Sequence, residues 1–182
     1  RILRYLRFFL NYSKQPHDPK IVKVLKMNLM GITNLSKERL IDELRKTLKP
    51  NVLESLSKDK IILEIFVSVF PQLKHFNIFS KLNTNLKDML SKVDFIFIIS
   101  LLIIDETDNV EYFIYKFNLS KKDQKRIRNI SDFYKKKITS KTFTEKNLNL
   151  IFYHSGKETV LDILNYRILK TNKLDNNILA LI

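Results

Sequence analysis

The sequence predicts an all-α protein, and three observations support that fold class. Only 2 of the 182 residues are glycine, whereas sheets with tight hairpins and phosphate-binding loops both need glycine. Apolar residues recur at helical spacing along most of the chain, and helix-capping residues stand where these segments begin. The hydrophobic content of 45% is enough to fill a core. We therefore predict a short multi-helix unit over residues 1–49, leading into a larger helical bundle over residues 50–182.

Three helices are expected in the N-terminal unit. The first opens the chain with "RILRYLRFFLNY", and its apolar stripe is formed by Ile2, Leu3, Leu6, Phe9 and Leu10. The second begins at Asp18-Pro19, a capping residue followed by a proline suited to the first helical position, and runs to about residue 30. The third follows a Ser36 cap and ends at Pro50, and it is expected to bury Leu40, Leu44 and Leu48.

The larger bundle is expected to hold helices at about 51–57, 59–70, 72–82, 85–104, 109–117, 121–137, 145–155, 157–171 and 175–181. The expected N-caps are Asp108, Ser120 and Thr144, and Gly156 suits the position just after a helix. The longest apolar run, "FIFIISLLII", has ten residues, whereas about 20 are needed to span a bilayer. We expect this run to form a buried central helix and no membrane span.

The composition excludes several kinds of site. The chain has no cysteine, which removes disulfides and thiolate chemistry and fits a reducing cytoplasmic setting. Its three histidines are too far apart in sequence for a local pair of metal ligands. Gly156-Lys157 is not part of a phosphate-binding loop, because Ile151 occupies the position of the first glycine. The acidic "DETD" at 105–108 lacks calcium-loop spacing and is interpreted as a solvated turn. We predict no catalytic residue and no metal ligand in this chain.

The charge is more informative than these absences. A net charge of +14 attracts polyanions, meaning nucleic acid or an anionic membrane surface, although an AT-rich genome also raises the lysine content. Residues 121–146 hold ten Lys or Arg against three Asp or Glu, with Phe133 and Tyr134 between them. We predict RNA-binding residues at Lys121, Lys122, Lys125, Arg126, Arg128, Lys135, Lys136 and Lys137. A solvated helix face is the alternative interpretation.

The opening helix also has a second face, formed by Arg1, Tyr5, Phe8 and Tyr12 with Arg4 and Arg7 beside it. Arginine forks next to aromatic rings can hydrogen-bond a base edge or a phosphate while stacking on it. The alternative is that this face packs against a neighbouring part of the protein.

Two motifs carry a resemblance to a known family. "RILRYLRFFLNYS" is similar to the Arg-Ile-Leu-Arg-x-x-Arg-Phe stretch of bacterial CCA-adding tRNA nucleotidyltransferases and their poly(A) polymerase relatives. "LSKERLIDELRKTL", at 35–48, resembles the Ile-Ser-x-Glu-Arg-Ile-x-x-Glu-Leu motif of that family, and the two motifs follow in the same order and at a similar spacing. Residues 50–182 resemble the family only in kind, as a helical body and tail.

The resemblance implies a division of roles. Arg1 takes the position of the template arginine that reads the incoming base, and Arg4 is a second nucleotide-binding residue. In the family motif, acidic residues precede the template arginine. They do not occur before Arg1 in this sequence. The residues implied to support this neck region are Ser36, Glu38, Arg39 and Glu43. The body and tail would hold the acceptor arm of tRNA. Mg²⁺ and the substrates CTP and ATP would be held by a preceding head domain, whose Asp-x-Asp pair has no counterpart here.

We therefore expect the C-terminal portion of such an enzyme, which binds RNA and does not extend it alone. Two other functions stay open: a non-catalytic helical RNA-binding module, and a helical scaffold whose charge reflects genome composition. The motifs also do not separate CCA addition from A addition or poly(A) synthesis, because these activities share the neck.

Overall fold

The computed structural model describes residues 1–13, 15–135 and 145–172, and every regular element within them is helical. The predicted all-α fold class is therefore confirmed. The N-terminal unit consists of α1 (Ile2–Tyr12), α2 (Pro19–Met27), a 3₁₀ helix (Leu29–Asn34) and α3 (Lys37–Thr47).

The rest of the described chain contains α4 (Pro50–Lys58), α5 (Lys60–Val69), a second 3₁₀ helix (Phe76–Lys81), α6 (Thr84–Ser91), α7 (Phe95–Ile103), α8 (Asn109–Phe117), α9 (Lys121–Lys135) and α10 (Glu145–Thr171). Gly156 interrupts α10 with φ 82° and ψ 167°, so α10 is two helical segments that meet at this residue. This confirms the predicted break. The predicted cap Thr144 and the predicted helix at 175–181 lie outside the described residues.

Three of the four predicted caps that lie among the described residues make side-chain hydrogen bonds. Asp18 accepts a hydrogen bond from the Lys20 backbone N–H at 2.8 Å, and Ser36 accepts one from Arg39 at 3.3 Å. The hydroxyl of Ser120 accepts from the Asp123 backbone N–H at 3.2 Å. Asp108 occupies the predicted N-cap position of α8, but its side chain makes no capping hydrogen bond.

Two predicted helices differ from the structure. The segment 85–104 is not one helix but α6 and α7, because the Asp94 carboxylate caps a new start by accepting from the Phe97 backbone N–H at 3.0 Å. The segment 72–82 contains only the second 3₁₀ helix, which follows His75 in a left-handed conformation with φ 63°. Helical periodicity continues through both breaks, so it could not reveal them.

The core is centred on α7, whose residues from Ile96 to Ile103 are all buried, as predicted for the apolar run. The same hydrophobic cluster reaches from Leu3 and Leu6 of α1 to Leu169 of α10. The N-terminal unit therefore shares a continuous core with the bundle, and the boundary near residue 49 stays a prediction. None of the helices described here is long and apolar enough to cross a membrane.

The segment between α1 and α2 is held against the bundle by His17. Its Nε2 lies 2.6 Å from the Asp59 Oδ2, and its ring stacks on Phe9 with 4.0 Å between centroids. Asp59 also caps α5 by accepting from the Ile62 backbone N–H at 3.0 Å. These contacts fix the C-terminal end of α1 relative to α5.

Candidate nucleic-acid interface

A groove of about 650 Å³ lies between α1, α2, the first 3₁₀ helix and α3. We call it the neck groove. Its floor is aliphatic and includes Ile2, Leu25 and Ile32. Its polar lining consists of Arg1, Arg4, Asn28, Arg39 and Glu43. Four residues predicted from two separate motifs therefore meet in one concave surface.

The three arginines give the neck groove a positive charge that reaches solvent. Arg1, Arg4 and Arg39 are all exposed, so their guanidinium groups are accessible to a ligand. Each guanidinium presents several N–H donors in a plane, which suits phosphate oxygens and base edges. The groove can therefore bind an anion or a base, and it offers no general acid or base apart from Glu43.

Glu43 is held by a second arginine of α1. Its Oε2 lies 3.4 Å from the Arg7 Nε, and both side chains are mostly covered. This ion pair connects α1 to α3 behind the exposed arginines. Glu43 thus makes a contact between α1 and α3, and Arg7 lies in that contact rather than in the groove lining.

Ser36 and Glu38 do not line the groove. The Ser36 hydroxyl caps α3 by accepting a hydrogen bond from the Arg39 backbone N–H. It therefore fixes the backbone of the first turn, which carries Arg39. Glu38 is exposed in the first turn of α3, where a carboxylate complements the helix dipole. The neck-support role of these two residues stays a prediction.

An exposed aromatic strip runs along α1 next to the groove. Phe8 is 42% exposed, and the Cζ atoms of Arg4 and Arg7 lie 5.3 Å and 5.1 Å from its ring centroid. Tyr12 is 77% exposed and its ring centroid is 5.7 Å from that of Phe8. The predicted placement of arginines over aromatic rings is present here. Tyr5 differs, because it is half-buried against the core.

Two of the predicted RNA-binding residues on α9 are already engaged by carboxylates. Arg126 donates to Asp162 and also to Asp94, and these hydrogen bonds, led by the one to Asp162, raise its pKa despite burial. Arg128 donates to both carboxylate oxygens of Glu111, at 2.8 Å and 2.7 Å, and this raises its pKa. Their assignment to RNA stays a prediction, and their present partners are within the protein.

The lysines of α9 are different. Lys121, Lys122, Lys125 and Lys135 are exposed and form no ion pair within the described ranges. The first three lie in the first two turns of α9, where the helix dipole disfavours cations. An external polyanion would relieve that repulsion. Lys136 and Lys137 lie outside the described residues.

A second cavity, of about 640 Å³, lies between α9 and the second segment of α10, and the sequence did not predict it. Its walls include Phe133, Tyr134 and Tyr166, and Lys170 lies among them. Burial lowers the pKa of Lys170 to about 8 and raises that of Tyr166. Tyr166 and Lys170 are one helical turn apart, but a sequence pattern could not show that they face Tyr134 of another helix.

The acidic turn offers no metal site. Asp105 accepts from the Lys74 Nζ at 2.7 Å and from the Thr107 hydroxyl at 2.6 Å. Burial disfavours its charged form, but these hydrogen bonds outweigh burial and lower its pKa to about 2. The described part of the chain contains no group of three or more His, Cys, Asp or Glu residues able to hold a metal ion.

Comparisons with known protein families, with curated proteins and with solved structures find no match to this chain. The described fold and the sequence define an all-α protein with a net charge of +14.

Proposed function

We propose that this chain is the RNA-binding and nucleotide-selecting portion of a tRNA nucleotidyltransferase, of the class that adds CCA to tRNA 3′ ends or synthesises poly(A). The observation that supports the proposal is the meeting of Arg1, Arg4 and Arg39 in the neck groove. Arg1 and Arg4 belong to the first resembling motif and Arg39 to the second, so residues from both motifs face one ligand-sized space.

In this proposal the neck groove selects the incoming nucleotide. Arg1 presents its guanidinium fork to the base edge, and Arg4 stabilises the negative charge of the ligand. The Arg7–Glu43 ion pair and the Ser36 cap hold α1 and α3 so that Arg1 and Arg39 stay on the same side of the groove. These are positioning contacts and supply no reaction chemistry.

The reaction itself would take place elsewhere. CTP and ATP would be the substrates, and transfer of their nucleotidyl groups in this class requires Mg²⁺. The described residues do not fit such a metal, because no cluster of three or more ligating side chains occurs among them. The catalytic head of the enzyme would hold the ion.

RNA would bind along α9. Lys121, Lys122 and Lys125 offer three exposed ammonium groups on one helix, and Lys135 adds a fourth at its C-terminal end. Lysine contacts to phosphate fix the position of an RNA without reading its sequence. The acceptor arm of tRNA is the partner that the proposal assigns to this surface, in a cytoplasmic setting.

The test is to join the chain to the catalytic head of a bacterial CCA-adding enzyme and to measure CMP and AMP incorporation into tRNA. Arg1→Ala should reduce discrimination between CTP and ATP by at least about tenfold, because a base-reading hydrogen-bond donor is lost. Lys23→Ala is the matched control, since Lys23 is exposed on α2 and does not line the groove. Unchanged selection in Arg1→Ala would contradict the template role. A fusion that binds tRNA and incorporates neither nucleotide would favour a non-catalytic RNA-binding module.

A further inference from the structure

The cavity between α9 and α10, which we call the α9–α10 pocket, is separate from the neck groove. No residue lines both, and its volume of about 640 Å³ lies within the range of small-molecule sites. Ile130 and Ile163 give it aliphatic surface, and Phe133 and Tyr134 give it aromatic surface. This lining suits a flat, partly apolar ligand.

Two polar groups in the pocket lack an acceptor. The Lys170 Nζ and the Tyr166 hydroxyl are covered from solvent, and neither makes a hydrogen bond within the part of the chain that the structure describes. Tyr166 is only 4% exposed, so its side chain is almost completely covered by the protein. Buried donors without acceptors are uncommon and costly in folded proteins. Both therefore mark a place where an acceptor is expected.

Within the described residues, the Lys170 ammonium lies over two aromatic rings and forms no hydrogen bond. Its Nζ lies 5.7 Å from the centroid of Tyr134 and 5.9 Å from that of Tyr166, among the described residues. Asp105 acts on Lys170 electrostatically, but its carboxylate accepts hydrogen bonds from Lys74 and Thr107. The positive charge of Lys170 is thus left without an ion-pair partner in these residues.

The charge of the lining indicates the kind of acceptor. Among the described residues, Lys135 and Lys170 contribute two cations to the α9–α10 pocket, against the single carboxylate of Glu106. A phosphate monoester carries up to two negative charges and several acceptor oxygens, so it matches this excess better than a carboxylate does. The aromatic wall beside it can stack a base.

We propose that the α9–α10 pocket binds a nucleoside phosphate, with the phosphate accepting hydrogen bonds from Lys170 and Tyr166 and the base stacking against Tyr134. The ligand is either a free mononucleotide or one nucleotide of an RNA strand, because both present the same groups. The proposal does not depend on the neck groove or on the proposed nucleotidyltransferase function, since Lys170, Tyr166 and Tyr134, which would contact the ligand, have no part in that function.

Isothermal titration calorimetry of the whole chain with AMP and with a four-residue oligoadenylate tests this site. Lys170→Met should weaken binding by at least about tenfold, and Tyr166→Phe by about threefold to tenfold, as expected for charged and neutral hydrogen bonds. Lys116→Met is the matched control, because Lys116 is also half-buried over an aromatic ring and lies outside the pocket. Adenosine, which lacks the phosphate, should bind at least about tenfold more weakly than AMP.

The two ligands separate the two sources. AMP binding that depends on Lys170 assigns the pocket to a free mononucleotide, and oligoadenylate binding that depends on Lys170 without AMP binding assigns it to RNA. Absence of binding by both, or binding that Lys170→Met and Tyr166→Phe leave unchanged, would overturn the proposal. If Lys170→Met does not fold, as judged by circular dichroism, Tyr166→Phe still decides the outcome because it keeps the buried ring.

Discussion

The guanidinium of Arg126 donates two hydrogen bonds to the carboxylate of Asp162, from Nε to Oδ2 at 2.6 Å and from Nη2 to Oδ1 at 2.8 Å. Asp162 is buried, and Arg126 also contacts Asp94, the residue that caps α7. One arginine therefore connects α9, the second segment of α10 and the start of the central helix.

We expect Arg126→Ala to lower the free energy of unfolding by about 3 kcal/mol, because it leaves the Asp162 carboxylate buried without a partner. The control is Arg128→Ala on the same helix, which breaks a similar two-bond pair with Glu111 that is largely exposed. That change should cost less than about 1 kcal/mol. Urea denaturation measures both values, and equal losses would contradict the structural role of Arg126.

The Arg7–Glu43 pair is expected to couple α1 to α3. A double-mutant cycle with Arg7→Ala and Glu43→Ala should give a coupling energy of about 0.5 to 1 kcal/mol, since 24% and 20% of the two side-chain surfaces remain exposed to solvent. Thermal or urea unfolding supplies the four free energies. Strictly additive losses would show that the two residues do not support each other.

Gly156 is expected to be required for the break in α10. Its φ of 82° with ψ of 167° is accessible almost only to glycine, so Gly156→Ala should destabilise the fold by about 1 to 3 kcal/mol. No atom lies within 4 Å of a Cβ placed at this position, so the loss would come from backbone strain and not from a clash. Gly31→Ala is the control, because Gly31 also has open space and no positive φ. Urea unfolding should show Gly31→Ala to be neutral or slightly stabilising, and a similar loss in both variants would contradict the strain argument.

Lys170 should make the free energy of unfolding depend on pH above about pH 8. Its pKa is about 8 in the folded chain and about 10.4 in an unfolded one, so the unfolded state binds more protons between these values. Its contribution therefore makes the free energy of unfolding rise as the pH increases from 8 to 10.4. Wild-type chain without ligand should gain stability relative to Lys170→Met between pH 7.5 and 9.5.

Neighbouring groups do not produce the same effect. Burial, followed by the charge of Lys170, lowers the pKa of His75, so His75 does not titrate above its ordinary range. Burial raises the pKa of Tyr166, which makes stability fall at high pH and so opposes the effect of Lys170. Asp105 is ionised throughout. Urea midpoints at the two pH values check the prediction, and a parallel change in wild type and Lys170→Met would contradict it.

Local signals in the sequence predicted local structure well. The Ser36 cap, the buried run at 95–104 and the break at Gly156 each depend on a few adjacent residues, and the structure contains all three. The separation of α6 from α7 was missed because Asp94 interrupts a pattern that remains apolar on both sides. A capping aspartate inside such a pattern looks like any exposed residue of a continuous helix.

The candidate sites show the same difference between local features, which the sequence predicted, and contacts between distant helices, which it did not. The proximity of Arg1 and Arg4 follows from helical spacing, whereas the arrival of Arg39 beside them depends on how α1 packs on α3. The engagement of Arg126 by Asp162, 36 residues further along the chain, could not be read from the basic run, in which every cation looks equivalent. The α9–α10 pocket was missed because its aromatic walls come from two distant helices.

The most direct test of the proposed RNA-binding function is the salt dependence of tRNA binding, measured by fluorescence anisotropy between about 50 and 200 mM salt. Replacing Lys121, Lys122 and Lys125 with Gln should weaken binding and reduce the slope of log K against log salt by about 2, because each phosphate contact contributes about 0.7 to 0.9. The control with the same loss of charge replaces Lys49, Lys60 and Lys92, which are exposed on other parts of the fold. We expect a steep slope for the wild type and for the control. Salt-independent binding, no binding, or an equal effect of both triple substitutions would contradict the account.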